Sequence, residues 1–306
     1  MNFSNWYSDQ QNTKTEENIM PTATLTEVKI TPINAPLGAE VTGLNASQPI
    51  APEVILQLKE ALRDRHILIF KNQQLSDEQL LNFSLYFGAL FVPPDETPVL
   101  ASKPGETPVV ILISNVDGGY TGTGELSFHS DHKWTPTPSS GSLLYALEVP
   151  SQGGDTYWLN TNLAYEALDE ATKKRIANLQ LITYNPFLQN RNIPRPLYRR
   201  DKNIPLISPV FPHPLVRTHP ESGKKHLYLD IATEVEIVGL EPEEGSKLIE
   251  QLRQHLNQPQ FYYQHKWSVG DIVYWDNQAT LHYRQAFDPN ERRVLKRVSL
   301  AGSRPF

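Results

Sequence analysis

The sequence predicts a mainly β fold with flanking helices, an antiparallel barrel or sandwich braced by a few helices on one side. Three observations predict it. Short runs rich in β-branched, aromatic and other apolar residues recur along the chain and crowd toward its C-terminal end. Few stretches carry the i, i+3, i+4 spacing of an amphipathic helix. No internal repeat or boundary divides the 306 residues, which suffice to bury one sizeable core.

In chain order, residues 1–24 are polar, carrying Asp9, Gln10, Gln11, Glu16 and Glu17, and read as a flexible N-terminal tail. Residues 25–306 read as a single domain. Strand-like alternation starts at 25–30. Pro52 opens a helix running to about Arg65, with Val54, Ile55, Leu58, Ala61 and Leu62 on one face. Residues 66–70 are continuously apolar after His66 and read as a buried strand. Ser76 with Gln79 forms a capping box for a second helix, which ends at Gly88. A strand is expected at 109–114. The rest of 89–125 is a loop insertion with Pro93-Pro94 and Gly118-Gly119, the character of a lid. Strands at 142–149 and 155–159 flank the turn 150–154, and a helix pair follows near 161–168 and 170–178. Residues 186–225 are rich in Pro and Arg, without clean periodicity, and read as an irregular insertion. Pro242 starts a helix to about Asn257 with Leu248, Ile249, Leu252 and Leu256 in register. Strands are then expected at 261–267, 271–275, 280–284 and 292–301.

Composition narrows the function. A formal net charge of -6 argues against a nucleic-acid surface. With no cysteine, disulfides, thiol catalysis, thiolate-zinc sites and Fe–S clusters are excluded, and a reducing cytoplasm fits. No apolar run approaches the roughly 18 residues of a membrane span, and the N-terminus lacks the pattern of a secretory signal.

The chemistry centres on Phe128-His129-Ser130-Asp131. On an extended backbone, residues i and i+2 share a face, so an imidazole and a carboxylate aim at one point with Ser130 turned away. One more imidazole completes a two-His-one-carboxylate triad, which leaves open positions and suits non-haem Fe(II) oxygenases. His282, after the apolar strand and the turn Asp276-Asn277-Gln278, is the candidate; Asn277 is expected to fix that turn. His132 is expected to face away or line the pocket. His66, His213, His219, His226, His255 and His265 read as loop, surface or hydrogen-bonded residues. In the last strand, alternation places Arg293, Leu295, Arg297 and Ser299 on one face, with Lys296 a solvated charge on the other. Two inward guanidiniums ~13 Å apart call for anions, such as the ends of a dicarboxylate or a cosubstrate and a substrate.

Together, His129-x-Asp131, Gly153-Gly154-Asp155-Thr156, Trp275-Asp276-Asn277 with His282, and Arg293 with Arg297 resemble the TauD/TfdA family of Fe(II)- and 2-oxoglutarate-dependent dioxygenases, from about residue 28 to 303. The resemblance implies a double-stranded β-helix (jelly-roll, cupin-like) core and iron held by His129, Asp131 and His282. It implies that Arg293, eleven residues after His282, pairs with the distal carboxylate of 2-oxoglutarate, and that Thr156 donates a hydroxyl to it. Arg297 matches the residue beside the C1 carboxylate, which in sulfonate-using members also holds the substrate anion. The implied reaction couples O2-driven decarboxylation of 2-oxoglutarate, releasing succinate and CO2, to hydroxylation, desaturation or oxidative cleavage of a small organic acid. A homo-oligomer, dimer or tetramer, is also implied.

The chain departs from taurine-using members, which have Asn and Trp where Glu125 and Phe128 stand, and its segment 91–96 lacks their substrate-loop His and Tyr. A substrate other than taurine is therefore expected. Glu125 facing a cationic or hydroxylated group and Arg297 an anionic one would suit an amino-acid-derived zwitterion, with Phe128 and Phe211 lining the pocket. Two other readings use the same triad: a non-catalytic cupin-like metal-binding protein and a zinc hydrolase.

Overall fold

The computed structural model describes residues 27–94, 109–116, 119, 121–188 and 209–306. The expected tail at 1–24 lies outside them, as do parts of both loop insertions.

From the N-terminus come β1 (Lys29–Pro32), β2 (Ala39–Thr42), α1 (Pro52–Arg65), β3 (Ile67–Phe70), α2 (Asp77–Leu85), β4 (Ile111–Ser114), β5 (Leu126–His129), β6 (Gly141–Glu148) and β7 (Thr156–Asn160). Next are α3 (Thr161–Glu166), α4 (Glu170–Ile176), β8 (Gln180–Thr183), β9 (Pro212–Pro214), β10 (Val216–Thr218), β11 (Lys225–Leu227) and β12 (Val235–Val238). The chain closes with α5 (Pro242–Leu256), β13 (Tyr262–His265), β14 (Ile272–Asp276), β15 (Thr280–Arg284) and β16 (Val294–Leu300).

Two sheets make the jelly-roll core. One has seven strands in the order β1-β2-β3-β14-β6-β16-β4, the other four in the order β13-β7-β15-β5. Between them lie Ile67, Ile69, Leu144, Val273, Trp275 and Leu295 from the larger sheet and Trp158 from the smaller. The alternate residues of the same larger-sheet strands, including Leu68, Phe70, Leu143, Tyr145, Ile272 and Val298, pack outward on Leu58 and Leu62 of α1 and Leu80 and Phe83 of α2. The outward residues of the smaller sheet, Phe128, Leu159 and Leu281, pack on α3 and on Leu248, Leu252 and Leu256 of α5. Helices therefore cover both outer faces, not one. The apolar runs of β3 and β14 need α1 and α2 on the outer face of the larger sheet, while outward Phe128, Leu159 and Leu281 need α3 and α5 on the smaller one, so the cause lies in both sheets together. Each fully buried Leu or Phe contributes roughly 1.5–3 kcal/mol.

α1 spans Pro52 to Arg65 as the spacing predicts. The capping box of α2 is formed, with Gln79 N donating to Ser76 Oγ at 3.2 Å and Ser76 N to Gln79 Oε1 at 2.8 Å. That helix ends at Leu85, short of Gly88. Tyr86 stays right-handed and its N–H reaches Phe83 and Ser84, so no glycine cap forms. The irregular insertion expected at 186–225 is ordered over 212–227, where β9 pairs with β8 and β10 with β11. Pro212 and Pro214 hide β9 from a strand reading, and they fit because β9 is an edge strand.

Candidate metal centre

β5 and β15 are antiparallel neighbours, and His129 lies directly opposite His282 in their register. Tyr283 and Phe128 project outward from these strands, so the two imidazoles project inward, their ring centroids 4.2 Å apart. β5 ends at His129, and Asp131 opens the turn that follows. The Oδ1 of Asp131 is 3.8 Å from Nε2 of His129 and 3.8 Å from Nε2 of His282. One ligand atom from each of the three residues lies within 4.8 Å of the others, and among the described residues no other such group occurs.

The surroundings aim these atoms. His129 Nδ1 lies 2.7 Å from Ser127 O, so this nitrogen carries the proton and Nε2 offers its lone pair. Asp131 turns its other oxygen, Oδ2, to Arg297 Nη1 at 3.0 Å. Burial alone would raise the Asp131 carboxyl; the Arg297 cation and the nearby His282 outweigh it and hold the group well below the usual carboxylate range. Burial, with His129 adding to it, pushes the His282 imidazole down to about 3, toward the neutral form that binds metals.

Asn277 does more than fix its own turn. Its Oδ1 accepts from Asp131 N at 2.9 Å, and its Nδ2 donates to Asp131 O at 2.9 Å and Ser139 O at 3.0 Å. Ser130 does turn away, donating from Oγ to Asn277 O, while its N–H reaches Asp230. Buried Lys133 also pairs with Asp230, at 3.1 Å, and lies over the Tyr228 ring. The turn bearing Asp131 is thus tied to two other segments. His132 lines the pocket with a left-handed backbone, stacked on Phe91.

The triad opens into a cavity of about 590 Å³. Arg293, Thr156, Arg284, Arg297, Glu125 and Trp134 are among its walls. Arg293 is buried; its Nε donates to Gly154 O at 2.9 Å and its Nη2 lies 3.5 Å from Thr156 Oγ1. Gly154 has φ +67, and a Cβ there would meet Arg293 Cδ and Nε at 3.1 Å. The Gly-Gly turn therefore makes room for this guanidinium as well as for the bend. Among the described residues no carboxylate lies within ion-pair distance of Arg293. Burial and the nearby Arg284 cation push its pKa down, the mark of a cation short of an anion. Thr156 Oγ1 accepts from Trp267 Nε1 at 2.9 Å, which leaves its proton for an acceptor in the cavity. A dicarboxylic keto acid spanning triad and Arg293 fits this donor set.

Not every expected residue faces this space. Phe128 packs away from it, against Tyr262 and Tyr283, because it alternates with His129 on β5. Phe211 is half-buried just before β9 and is not in the wall. Glu125 is at the rim, accepting from Tyr283 Oη at 3.0 Å. Arg293, just before β16, and Arg297 on it do both line the cavity, with Leu295 in the inner core, but Lys296 is not a free charge: it pairs with Asp77 at the start of α2. Arg284 escaped the sequence reading, although its i+2 spacing from His282 on a strand was a usable signal.

The taurine catabolism dioxygenase TauD, TfdA family model matches residues 29–299. The (S)-phenoxypropionate/alpha-ketoglutarate-dioxygenase of Sphingobium herbicidovorans is 31% identical over 277 residues, covering 89% of this chain and 94% of that protein. Pentalenolactone F synthase of Streptomyces arenae is 29% identical over 286 residues, with 89% and 94% covered. Among solved structures, a taurine dioxygenase from Burkholderia xenovorans superposes with a TM-score of 0.74 at 30% identity, covering 91% of this chain and 90% of that one.

Proposed function

The chain belongs to the TauD/TfdA family of dioxygenases, and from that premise we propose how it holds its metal and cosubstrate and what class of molecule it oxidises. It is an Fe(II)- and 2-oxoglutarate-dependent dioxygenase acting on a small organic substrate. The similarity to named dioxygenases favours this over a non-catalytic cupin-like protein or a zinc hydrolase.

In our reading His129, Asp131 and His282 bind iron, and Arg293 with Thr156 seats the distal carboxylate of 2-oxoglutarate. The observation that carries it is the meeting of three ligand atoms within 4.8 Å beside a buried guanidinium that lacks an anion. Bound iron with 2-oxoglutarate and O2 supplies the oxidising power, and succinate and CO2 leave. The chain's own residues orient and shield. Ser127 O fixes the His129 tautomer, Asn277 holds the Asp131 backbone, and Arg297 keeps the Asp131 carboxylate ionised and turned. Trp275, Leu144 and Ile113 in the cavity wall limit water.

For the substrate we infer a small organic acid, in particular an amino-acid-derived zwitterion. Glu125 at the rim suits a cationic or hydroxylated group, and Arg297, whose Nε is buried without a partner, suits an anionic one. The Sphingobium relative is named for (S)-phenoxypropionate, an organic acid, which supports the acid. A homo-oligomer, dimer or tetramer, working in the cytoplasm without nucleic acid completes the reading. It is supported by the family resemblance, the cysteine-free acidic composition and, among the described residues, no helix long and apolar enough to cross a membrane.

The test is succinate release from 2-oxoglutarate with Fe(II) and O2, over a panel of amino acids, sulfonates, sulfate esters and aryloxy acids. We expect one class to trigger turnover. No succinate with or without any of them, or activity that needs zinc and no O2, overturns the reading. With the triggering substrate in hand, Glu125→Gln should raise its KM several-fold with 2-oxoglutarate KM unchanged; an unchanged substrate KM removes Glu125 from the role.

A further inference from the structure

We propose that Arg284 is a second guanidinium for the distal carboxylate of 2-oxoglutarate, shared with Arg293. This rests on the cosubstrate reading above and adds a residue to it. Four observations converge. Arg284 follows His282 by two residues on β15, so it faces the same interior, ~7 Å further along the strand. Its cross-strand partner on β7 is Thr156, the hydroxyl beside Arg293 Nη2. It lines the same cavity as the triad, Thr156 and Arg293, and is only 6% exposed. Its Nη2 donates to Gly124 O and its Cζ lies 5.6 Å from the Phe287 ring, but Nε and Nη1 are buried with no hydrogen-bond partner.

A buried guanidinium with two unused N–H groups is costly unless an anion meets it. Arg293, a second buried guanidinium without a carboxylate partner among the described residues, lines the same cavity, and like charges this close worsen each other's burial. Asp131, the acid deep in this cavity, is already engaged by Arg297. Glu125 is exposed at the rim and engaged by Tyr283. A carboxylate offers two oxygens and about four acceptor directions. One oxygen can take Arg293 and Thr156 while the other takes Arg284. The site would then select for a 2-oxo diacid more steeply than one arginine allows.

The experiment measures 2-oxo acid binding without turnover, by the visible absorbance that forms on anaerobic Fe(II) protein and by calorimetry on Mn(II)-loaded protein. Two acids are compared: 2-oxoglutarate, and 2-oxobutyrate, which lacks the distal carboxylate. Arg284→Gln keeps a donor for Gly124 O and removes the charge; Arg284→Lys keeps the charge. For Arg284→Gln we expect Kd for 2-oxoglutarate to rise about 10- to 100-fold, the range of a charge-assisted hydrogen bond, with Kd for 2-oxobutyrate within twofold of wild type. Arg284→Lys should fall between. A 2-oxoglutarate Kd unchanged in Arg284→Gln, or equal losses for both acids, overturns the proposal and leaves Arg284 a structural prop for Gly124. Should Arg284→Gln not fold, Arg284→Lys carries the same diacid-to-monoacid comparison. Wild-type protein that binds neither acid sinks the cosubstrate reading itself, and this inference with it.

Discussion

At the residue scale, Thr156 shows how one hydroxyl serves structure and ligand together. It accepts from the buried Trp267 indole and sits beside Arg293. Thr156→Val keeps the shape and removes the acceptor, leaving a buried N–H unpaired at a cost of about 1–3 kcal/mol. The expected outcome is a lower melting temperature together with weaker 2-oxoglutarate binding, both restored in Thr156→Ser. Calorimetry and a binding titration check it; a variant with wild-type melting and binding would remove Thr156 from both roles. That His129, Asp131 and His282 meet was legible from the motifs taken together, since a His-x-Asp pair alone is common. The contact between Asn277 and Asp131 was not, since it spans 146 positions and depends on how two turns meet. Phe128 was misjudged for a simpler reason: naming His129 as inward on β5 already assigns its neighbour to the outer core.

At the element scale, the strongest sequence signals were local ones, and they gave α1, the α2 capping box and β16. Short strands such as β2, β8 and β12 carry only four residues each, too few for a period to stand out against a coil. The junction of α1 and β3 also carries a pH response. His66 closes α1 in a left-handed conformation, φ 65, and its ring is buried near His226 and Asp276. Burial pushes its pKa down to about 4 from 6.5, and His226 shifts the same way. The folded protein therefore favours neutral rings. Their contribution is present above pH 6.5 and is lost as pH falls toward 4, because the unfolded chain takes up the protons first. His66→Asn keeps a residue that tolerates this backbone and removes one such site. Its melting temperature should fall less steeply than wild type between pH 6.5 and 4, as scanning calorimetry would read. Parallel slopes would show that His66 does not contribute to the acid response.

At the scale of the whole molecule, the family likeness spans nearly all the described chain, so the architecture was readable from motif order. The placement of helices on both outer faces was not, because that depends on sheet pairing and not on any one segment. The arrangement leaves the cavity between two covered sheets, with Arg297 on β16 and Arg293 at its start, on a strand held between β6 and β4. In the smaller sheet, β5 is an edge strand, and its register with β15 shifts between His282 and Arg284. A divalent ion gripped from both strands would rivet that border shut, whereas chelation would leave it free to fray. Deuterium uptake at 126–129 should accordingly quicken in EDTA and slow again with Mn(II), while β7 and β14 hold steady; uniform uptake would deny the rivet. How a preparation was stripped or loaded then governs more than turnover, because an opened border offers unpaired backbone to the next molecule and sets the protein's shelf life.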